Sequence, residues 1–386
     1  MNSSSNPALD ITKLLAVMVQ HSASDLYITV GSAPMYRVDG VVRQAGSHIF
    51  SELDTENLAR SVMNDNQQKM FYATNELNFG IHYSTLGRFR VNVYRQRGAI
   101  GMVIRSIKSK ILTIEELNLP EILKSIAMTK RGLVLVVGAT GSGKSTTLAA
   151  LIDHRNANSP GHIVSIEDPI EFVHEHKRSI ISQREVGLDT ENYEVAIKNA
   201  LRQAPDVVFI GEIRDIETME AALTFSETGH LCLATLHSNN ANQAMERIMN
   251  FFPVSRHPQI YMQLSLNLRA VISQRLLKSV DGSRIAAIEI LLDSPRVKDL
   301  ILKARISDLK EAMEQSKNIG MQTFDQALFD LYIAGKISLD EALVNADSVN
   351  NLRLAIKLKQ SASAQALDRN IKGQKVVLDT DKSVEN

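Results

Sequence analysis

The chain has little cysteine, no net charge and no long apolar run. A single cysteine, Cys232, stands in 386 residues. No disulfide can form within the chain, and no cysteine-built zinc site is available. Cys232 lies inside an apolar run and reads as a small buried hydrophobe. Lysine plus arginine number 43, as do aspartate plus glutamate, for a formal net charge of +0. That balance argues against broad, sequence-independent binding to nucleic acid or to an anionic membrane. No apolar stretch approaches the roughly 20 residues that a membrane helix needs. The polar first ten residues lack a basic segment followed by an apolar one, so no signal peptide is expected. The expectation is a cytoplasmic protein of two or more domains. Its hydrophobic content of 44% and charged content of 22% are ordinary for a globular chain.

What is present is organised around Gly138-Ala139-Thr140-Gly141-Ser142-Gly143-Lys144-Ser145, followed by Thr146. This is G-x-x-x-x-G-K-[ST], a phosphate-binding loop. Leu133 to Val137 is an unbroken apolar run, which predicts a buried parallel strand. Ser145 to His154 can continue as a helix. A strand feeding a glycine-rich turn and a helix start leaves backbone N–H groups without partners, and these donors bind phosphate oxygens. In this setting Lys144 reaches the β- and γ-phosphates of ATP, and the Ser145 hydroxyl ligates Mg²⁺.

Before the loop, Leu9 to Gln20 predicts a helix, Asp25 to Val30 a strand, and Met35 to Val42 a hairpin through Asp39-Gly40. Ser51 to Met70 predicts one helix with Ser51 as its N-cap. Strands are expected over Leu77 to Ser84, Arg88 to Arg95 and Ala99 to Ile107, which makes a small α+β domain. Arg88 to Tyr94 alternates strictly, with Phe89, Val91 and Val93 inward and Arg88 and Arg90 outward. Arg95, Arg97 and Arg105 are close in sequence. Such a cluster is either a solvated sheet face or a surface aimed at phosphates. Ser106 to Asn118 has the look of a linker.

After Pro120, strands and helices alternate, as in a parallel sheet covered by helices. Ile163 to Ile166, Val207 to Ile210 and Leu231 to Leu236 are strands, and Glu191 to Gln203 is a helix. After Pro253 the pattern turns mostly helical: Gln259 to Ala270, Pro295 to Leu302, Leu309 to Gln315, Thr323 to Ala334 and Ser338 to Ala346. Ser361 to Asn386 is polar and aperiodic and reads as a disordered tail.

Hydrolysis needs a metal held at a neighbouring strand end and a group that orients the attacking water. Val207-Val208-Phe209-Ile210-Gly211-Glu212 is an apolar strand ending in a carboxylate, a Walker B element with Glu212 as the Mg²⁺-side residue. Ile163 to Glu171 runs into Glu167, Asp168 and Glu171, a cluster that is costly without positive charge nearby. Its spacing suggests that one carboxylate holds water. His230 and His237 bracket the Leu231 to Leu236 strand and are either structural or readers of the γ-phosphate.

These elements together resemble the Walker A, Asp box, Walker B and His box of secretion ATPases: Gly138 to Ser145, Glu167 to Glu171, Gly211 to Asp215, and Thr228-Gly229-His230 with Thr235-Leu236-His237. The chain is most similar to the PilT/PilU retraction ATPases of type IV pili. Ser182-Gln183-Arg184-Glu185-Val186, Gln203-Ala204-Pro205-Asp206 and Ala234 to Ala244 look most like the PilU branch. So does the long tail after Asn351-Leu352-Arg353.

The resemblance implies an α/β protein: an N-terminal PAS-like α+β domain over 1–107 and a linker over 108–119. A RecA-like P-loop ATPase core over 120–290, a helical C-terminal region over 291–360 and a tail over 361–386 would follow. It implies a homo-hexameric ring that hydrolyses ATP with Mg²⁺ to power pilus retraction. Its partners would be a paralogous retraction ATPase and an inner-membrane platform protein. The ring would work at the inner face of the inner membrane through those partners. By match to the family's boxes, Glu171 is the catalytic glutamate, Glu212 the Walker B residue, and His230 and His237 the His-box pair. Arg88, Arg90 and Arg105 would complete the nucleotide site.

Extension and secretion relatives carry a tetracysteine insert, which a single cysteine excludes here. Retraction ATPases carry an Ala-Ile-Arg-Asn-Leu-type helix, where this chain has Pro295-Arg296-Val297-Lys298-Asp299-Leu300-Ile301. That departure fits an accessory role beside a principal motor. The competing readings are an assembly or secretion motor, a nucleotide-gated scaffold with little hydrolysis, and a nucleic-acid translocase, which the neutral charge disfavours.

Overall fold

The computed structural model describes residues 9–107 and 110–361. The tail expected to be disordered lies outside the described residues from position 362 on, as do Lys108 and Ser109 of the expected linker. The chain divides into two compact units. The first takes the residues up to Ile111 together with Glu167–Glu175 and Gln183–Ala196, and the second takes the remainder.

The first unit opens with α1 (Ile11–Gln20), β1 (Asp25–Ile28), β2 (Met35–Val38) and β3 (Val41–Gln44). It continues through α2 (Glu52–Val62), α3 (Asp65–Thr74), β4 (Glu76–Tyr83), β5 (Gly87–Gln96) and β6 (Ala99–Ile107). The strands form one antiparallel sheet in the order β3-β2-β1-β6-β5-β4. The β2–β3 hairpin turns through Asp39-Gly40, both at positive φ, the geometry a two-residue hairpin loop requires. Phe89, Val91 and Val93 of β5 are fully buried, as the alternation predicts, and pack with Leu15, Met18, Leu58 and Phe71.

The expected single helix over Ser51 to Met70 is two helices. Ser51 and Asp54 form a capping box at the start of α2, as the N-cap reading requires. A second capping box, Asn64 with Gln67, starts α3 and stops α2 at Val62. The side chain of Asn64 competes with helix continuation by offering its oxygen to the Gln67 amide.

The second unit is built on α4 (Ile122–Ala127), β7 (Gly132–Val137), α5 (Lys144–Asn158), β8 (Gly161–Glu167) as far as Ile166 and β9 (Ser179–Glu185) as far as Ser182, the last residues of both strands belonging to the first unit. Next come α6 (Tyr193–Ala200), which enters the second unit at Ile197, β10 (Val207–Ile210), α7 (Ile216–Glu227), β11 (Leu231–Leu236), α8 (Ala241–Phe251) and α9 (His257–Asn267). Then follow β12 (Leu268–Lys278), β13 (Arg284–Leu292), α10 (Pro295–Leu302), α11 (Leu309–Glu314), α12 (Phe324–Ile333), α13 (Leu339–Val344) and a last helix, α14, over residues 349–361. The sheet order is β13-β12-β7-β11-β10-β8-β9. β12, β7, β11, β10 and β8 run parallel, and β13 is antiparallel to β12. Every residue of β7, β10 and β11 is buried, which is why these strands read as continuous apolar runs rather than alternating ones. Ile114 and Leu119, in the stretch read as linker, are buried in this unit's core.

The mostly helical reading after Pro253 is corrected by β12 and β13. The helix expected over Gln259 to Ala270 ends at Asn267, and the chain enters the sheet beside β7. A short apolar run such as Ala270-Val271-Ile272 does not distinguish strand from helix by periodicity. Burial against β7 decides the matter. Leu352 and Ile356 of α14 join Phe324 and Leu328 in a separate C-terminal cluster.

Candidate active site

The glycine-rich loop links the carboxyl end of β7 to the first turn of α5. Gly143 sits at the helix N-cap with φ 90°, a left-handed conformation that favours glycine. A Cβ on Gly138 would lie 2.4 Å from Ser142 Oγ and 2.6 Å from the Gln274 carbonyl, so the loop closes only around a bare backbone. Lys144 Nζ donates to the carbonyls of Gly138 (2.9 Å) and Ala139 (3.0 Å), and the lysine is 8% exposed. Ser142 Oγ is buried without a hydrogen-bond partner among the described residues. Bare backbone, a helix N-terminus, an orphan hydroxyl and a lysine on the same turn suit an anionic phosphate chain. Ser145 and Thr146 follow in the first turn of α5. A cleft beside the loop is lined by Ala139, Thr140, Gly141, Ser142, Asn239, Gln274, Arg275 and Leu276.

Because β7, β11 and β10 are parallel and in register, their carboxyl ends share one edge. Glu212 lies just past β10 and His237 just past β11. Their side chains approach to 3.4 Å between Oε1 and Nε2. Burial lowers the His237 pKa, the charges of Lys144 and Arg247 lower it further, and Glu212 opposes them. Burial and the neighbouring cations therefore favour the neutral imidazole, and Glu212 favours the charged one. Lys144, Glu212 and His237 thus converge where ligands bind in open parallel sheets.

Thr235 fixes the peptides on both sides of Glu212. Its hydroxyl donates to the Gly211 carbonyl, and its own carbonyl accepts from Ile213 N–H at 2.9 Å. Gln274 supports the loop from β12: its Oε1 accepts from the Thr147 hydroxyl at 2.7 Å, with both residues buried. Neither role was legible in the sequence. The one available signal for Gln274 is an amide in the polar triplet Ser273-Gln274-Arg275 between the apolar pieces Ala270 to Ile272 and Leu276-Leu277.

His230 is not brought to this edge. It precedes β11 at the end paired with Gly132, on the order of 20 Å along the strand from His237 at about 3.3 Å per residue. There its Nδ1 lies 3.0 Å from Thr228 Oγ1 and 3.2 Å from the Phe225 carbonyl.

The three carboxylates of the Asp box have different surroundings. Glu167 is 7% exposed and accepts from Gln183 Nε2 at 3.1 Å. Asp168 and Glu171 are exposed.

The five arginines also separate. Arg105 Nε donates to Asp25 Oδ1 at 2.8 Å, and Arg37 lies 3.4 Å from the other oxygen of this buried aspartate. Arg95 donates to the Gly98 carbonyl and lies over the Phe71 and Tyr72 rings. Arg97 occupies the β5–β6 turn at φ 53°. Arg88 and Arg90 face out of β5 without an ion pair among the described residues, and Arg90 stands opposite Arg105 in the ladder.

One buried acid went unnoticed in the sequence. Glu289 on β13 is 2% exposed, and its Oε1 accepts from Ala241 N–H and from the Ser273 hydroxyl, both at 2.8 Å. It thereby ties the start of α8, just after His237, to β12. Burial raises its pKa. A carboxyl raised in the folded state contributes stability below its unfolded value, which is lost as pH rises through the folded one. Glu289→Gln keeps the acceptor without the charge, so it should melt above the native protein at pH 8 and level with it at the acid end. Glu289→Ala should melt lower at every pH, at about 1–3 kcal/mol per orphaned donor. Thermal melts of both variants across pH check this, and a Gln variant less stable than native at pH 8 would contradict it.

The strand–loop–helix and the groups at its edge define a P-loop nucleotide-binding protein. The sequence matches the Type II/IV secretion system protein family over residues 4–379. It is 54% identical over 360 residues to the type IV pilus ATPase PilU of Pseudomonas aeruginosa, covering 93% of this chain and 94% of that one. It is 42% identical over 343 residues to the same organism's retraction ATPase PilT, covering 89% and 100%. The crystal structure of the pilus retraction motor PilT with bound ADP superposes with a TM-score of 0.84 at 38% identity, covering 89% of this chain and 99% of that one. The chain belongs to the Type II/IV secretion system protein family, in its PilT/PilU branch. No described helix is long and apolar enough to cross a membrane.

Proposed function

We propose that this chain is an ATP-hydrolysing motor that powers type IV pilus retraction, as an accessory to a principal retraction motor. The observation that carries the chemistry is the convergence of Lys144, Glu212 and His237 at one sheet edge beside the glycine-rich loop. Near full-length likeness to PilU supports the pilus assignment. We read the second unit as a RecA-like core with a helical C-terminal region, and the first as PAS-like.

Gly138 to Thr146 bind the phosphates of ATP, with Lys144 on the β- and γ-phosphates. Ser145 and Glu212 would hold Mg²⁺, which when bound offsets phosphate charge. Glu171 orients the attacking water, and His237 reads the γ-phosphate from its place beside Glu212. His230, bonded within the Thr228–Phe225 turn, acts from outside that edge. Arg88 and Arg90 deliver positive charge to the phosphates during turnover, while Arg105 chiefly neutralises Asp25. The active form is a homo-hexamer that meets a paralogous motor and an inner-membrane platform protein on the cytoplasmic side.

Deleting the gene should lower twitching and change pilus number, with restoration by the native chain. Unchanged twitching and pilus number, alone and with the paralogue deleted, would overturn the reading. In the purified protein, Arg88→Ala or Arg90→Ala should slow turnover at least about tenfold while ATP binding persists. Arg105→Ala should instead lower the melting temperature, since it strips a partner from a buried carboxylate.

A further inference from the structure

We infer that Gln183 and Glu185 are positioning residues for Glu171, two side chains of β9 that hold the backbone on both sides of it. The inference rests on the reading of Glu171 as the water-orienting carboxylate, and it concerns the first unit alone. Glu171 is exposed, but its neighbours are buried, Ile170 at 2% and Phe172 at 8%. The stretch leaves β8 and is irregular apart from a single bridge residue at Phe172, so most of its peptide groups need partners outside a strand ladder.

They find them on β9. Ile170 N–H donates to Glu185 Oε2 at 3.2 Å. The Phe172 carbonyl accepts from Gln183 Nε2 at 2.8 Å. The same amide nitrogen donates to Glu167 Oε1 at 3.1 Å, and Gln183 Oε1 accepts from His174 N–H at 2.8 Å. Gln183 and Glu185 are two residues apart on a strand and therefore share a face. The contacts fall on Glu167, Ile170, Phe172 and His174, which straddle Glu171.

β9 is itself braced. Val186 N–H donates to the Glu167 carbonyl at 2.9 Å, and Glu185 N–H donates to Asp189 Oδ2 at 2.9 Å. Glu185 is 5% exposed, so its carboxylate is buried where the Ile170 amide needs an acceptor. The arrangement leaves Glu171 free to meet water and phosphate while its Cα is fixed. A carboxylate that orients water needs that fixity, because a displacement of about 1 Å can cost 100-fold in rate.

Gln183→Leu should lower kcat by about 10–100-fold while KM and nucleotide Kd stay within about twofold, the range seen when supporting partners of a site are lost. Glu185→Ala should behave in the same way. Glu185→Gln keeps an acceptor for Ile170 N–H and should recover most of the rate. Steady-state kinetics, nucleotide binding and melts on the full chain read all three. If Gln183→Leu does not fold, the Glu185→Ala and Glu185→Gln pair decides.

Native kcat in Gln183→Leu and Glu185→Ala would overturn the inference. So would rate and binding falling together in step with melting temperature, or failure of Glu185→Gln to recover the rate. Glu171→Gln separates the two layers. A slow Glu171→Gln with native Gln183 and Glu185 variants removes the positioning role alone, whereas a Glu171→Gln at native rate removes both.

Discussion

Lys144→Ala should reduce ATP turnover by at least about 10²–10³-fold, the loss expected when a preorganised cation or donor is removed from a charged transition state. Lys144 is the cation at the start of α5, and its charge reaches His237 at the same edge. Its amine donates to the carbonyls of Gly138 and Ala139, so it also ties the loop to itself. Those bonds lie in the loop and not in the core formed by Leu135, Val136 and Leu148, which the substitution leaves intact. The variant should therefore fold, melt within a few degrees of native without nucleotide, and fail to bind ATP tightly. Steady-state ATPase assays, nucleotide titration and thermal melts check each part. Native turnover would refute the assignment of the loop, and a large fall in the nucleotide-free melting temperature would mean that the lysine is chiefly structural.

Glu171→Gln and Glu212→Gln should each slow hydrolysis by about 10²–10⁴-fold, but they should differ in what else they lose. Glu171→Gln removes the charge that orients water and leaves the phosphate-binding groups untouched, so ATP should stay bound and accumulate on the protein. Glu212→Gln removes a charge from the edge that carries Ser145 and His237, so ATP binding should weaken and require more Mg²⁺. A Mg²⁺ titration of nucleotide affinity separates the two. If Glu171→Gln hydrolyses at the native rate, the role passes to another acid of the box. Glu167 is then poorly placed, because it is buried and engaged by Gln183.

Much of the fold was legible where one element dominates its own neighbourhood. Leu133 to Val137 could only be a buried strand, and the loop after it carries its chemistry in eight consecutive residues. Phe89, Val91 and Val93 declared their buried face by alternation. The misreadings have a common cause. α2 and α3 merged because both have helical composition, and the stop is one capping box, two reciprocal bonds between Asn64 and Gln67. β12 and β13 were missed because Val271-Ile272 and Ile288 to Leu291 are buried beside other strands and lose the alternation that marks a half-exposed one. The Asp281-Gly282 pair, at the turn between them, was the usable signal.

By itself, the sequence determined the P-loop, the strand-end carboxylate Glu212, the acid cluster and the family, because these depend on residues adjacent in the chain. Tertiary structure alone decided which groups meet. It put Glu212 beside His237 and sent His230 to the far end of the same strand. It also divided the arginines into Arg105, held by Asp25, and Arg88 and Arg90, which face outward. The supports of the reactive carboxylates, Thr235 at Glu212 and Gln183 with Glu185 at Glu171, are likewise invisible in sequence. A hydrogen bond between segments depends on which strand lies beside which loop, and no local pattern of residues encodes that.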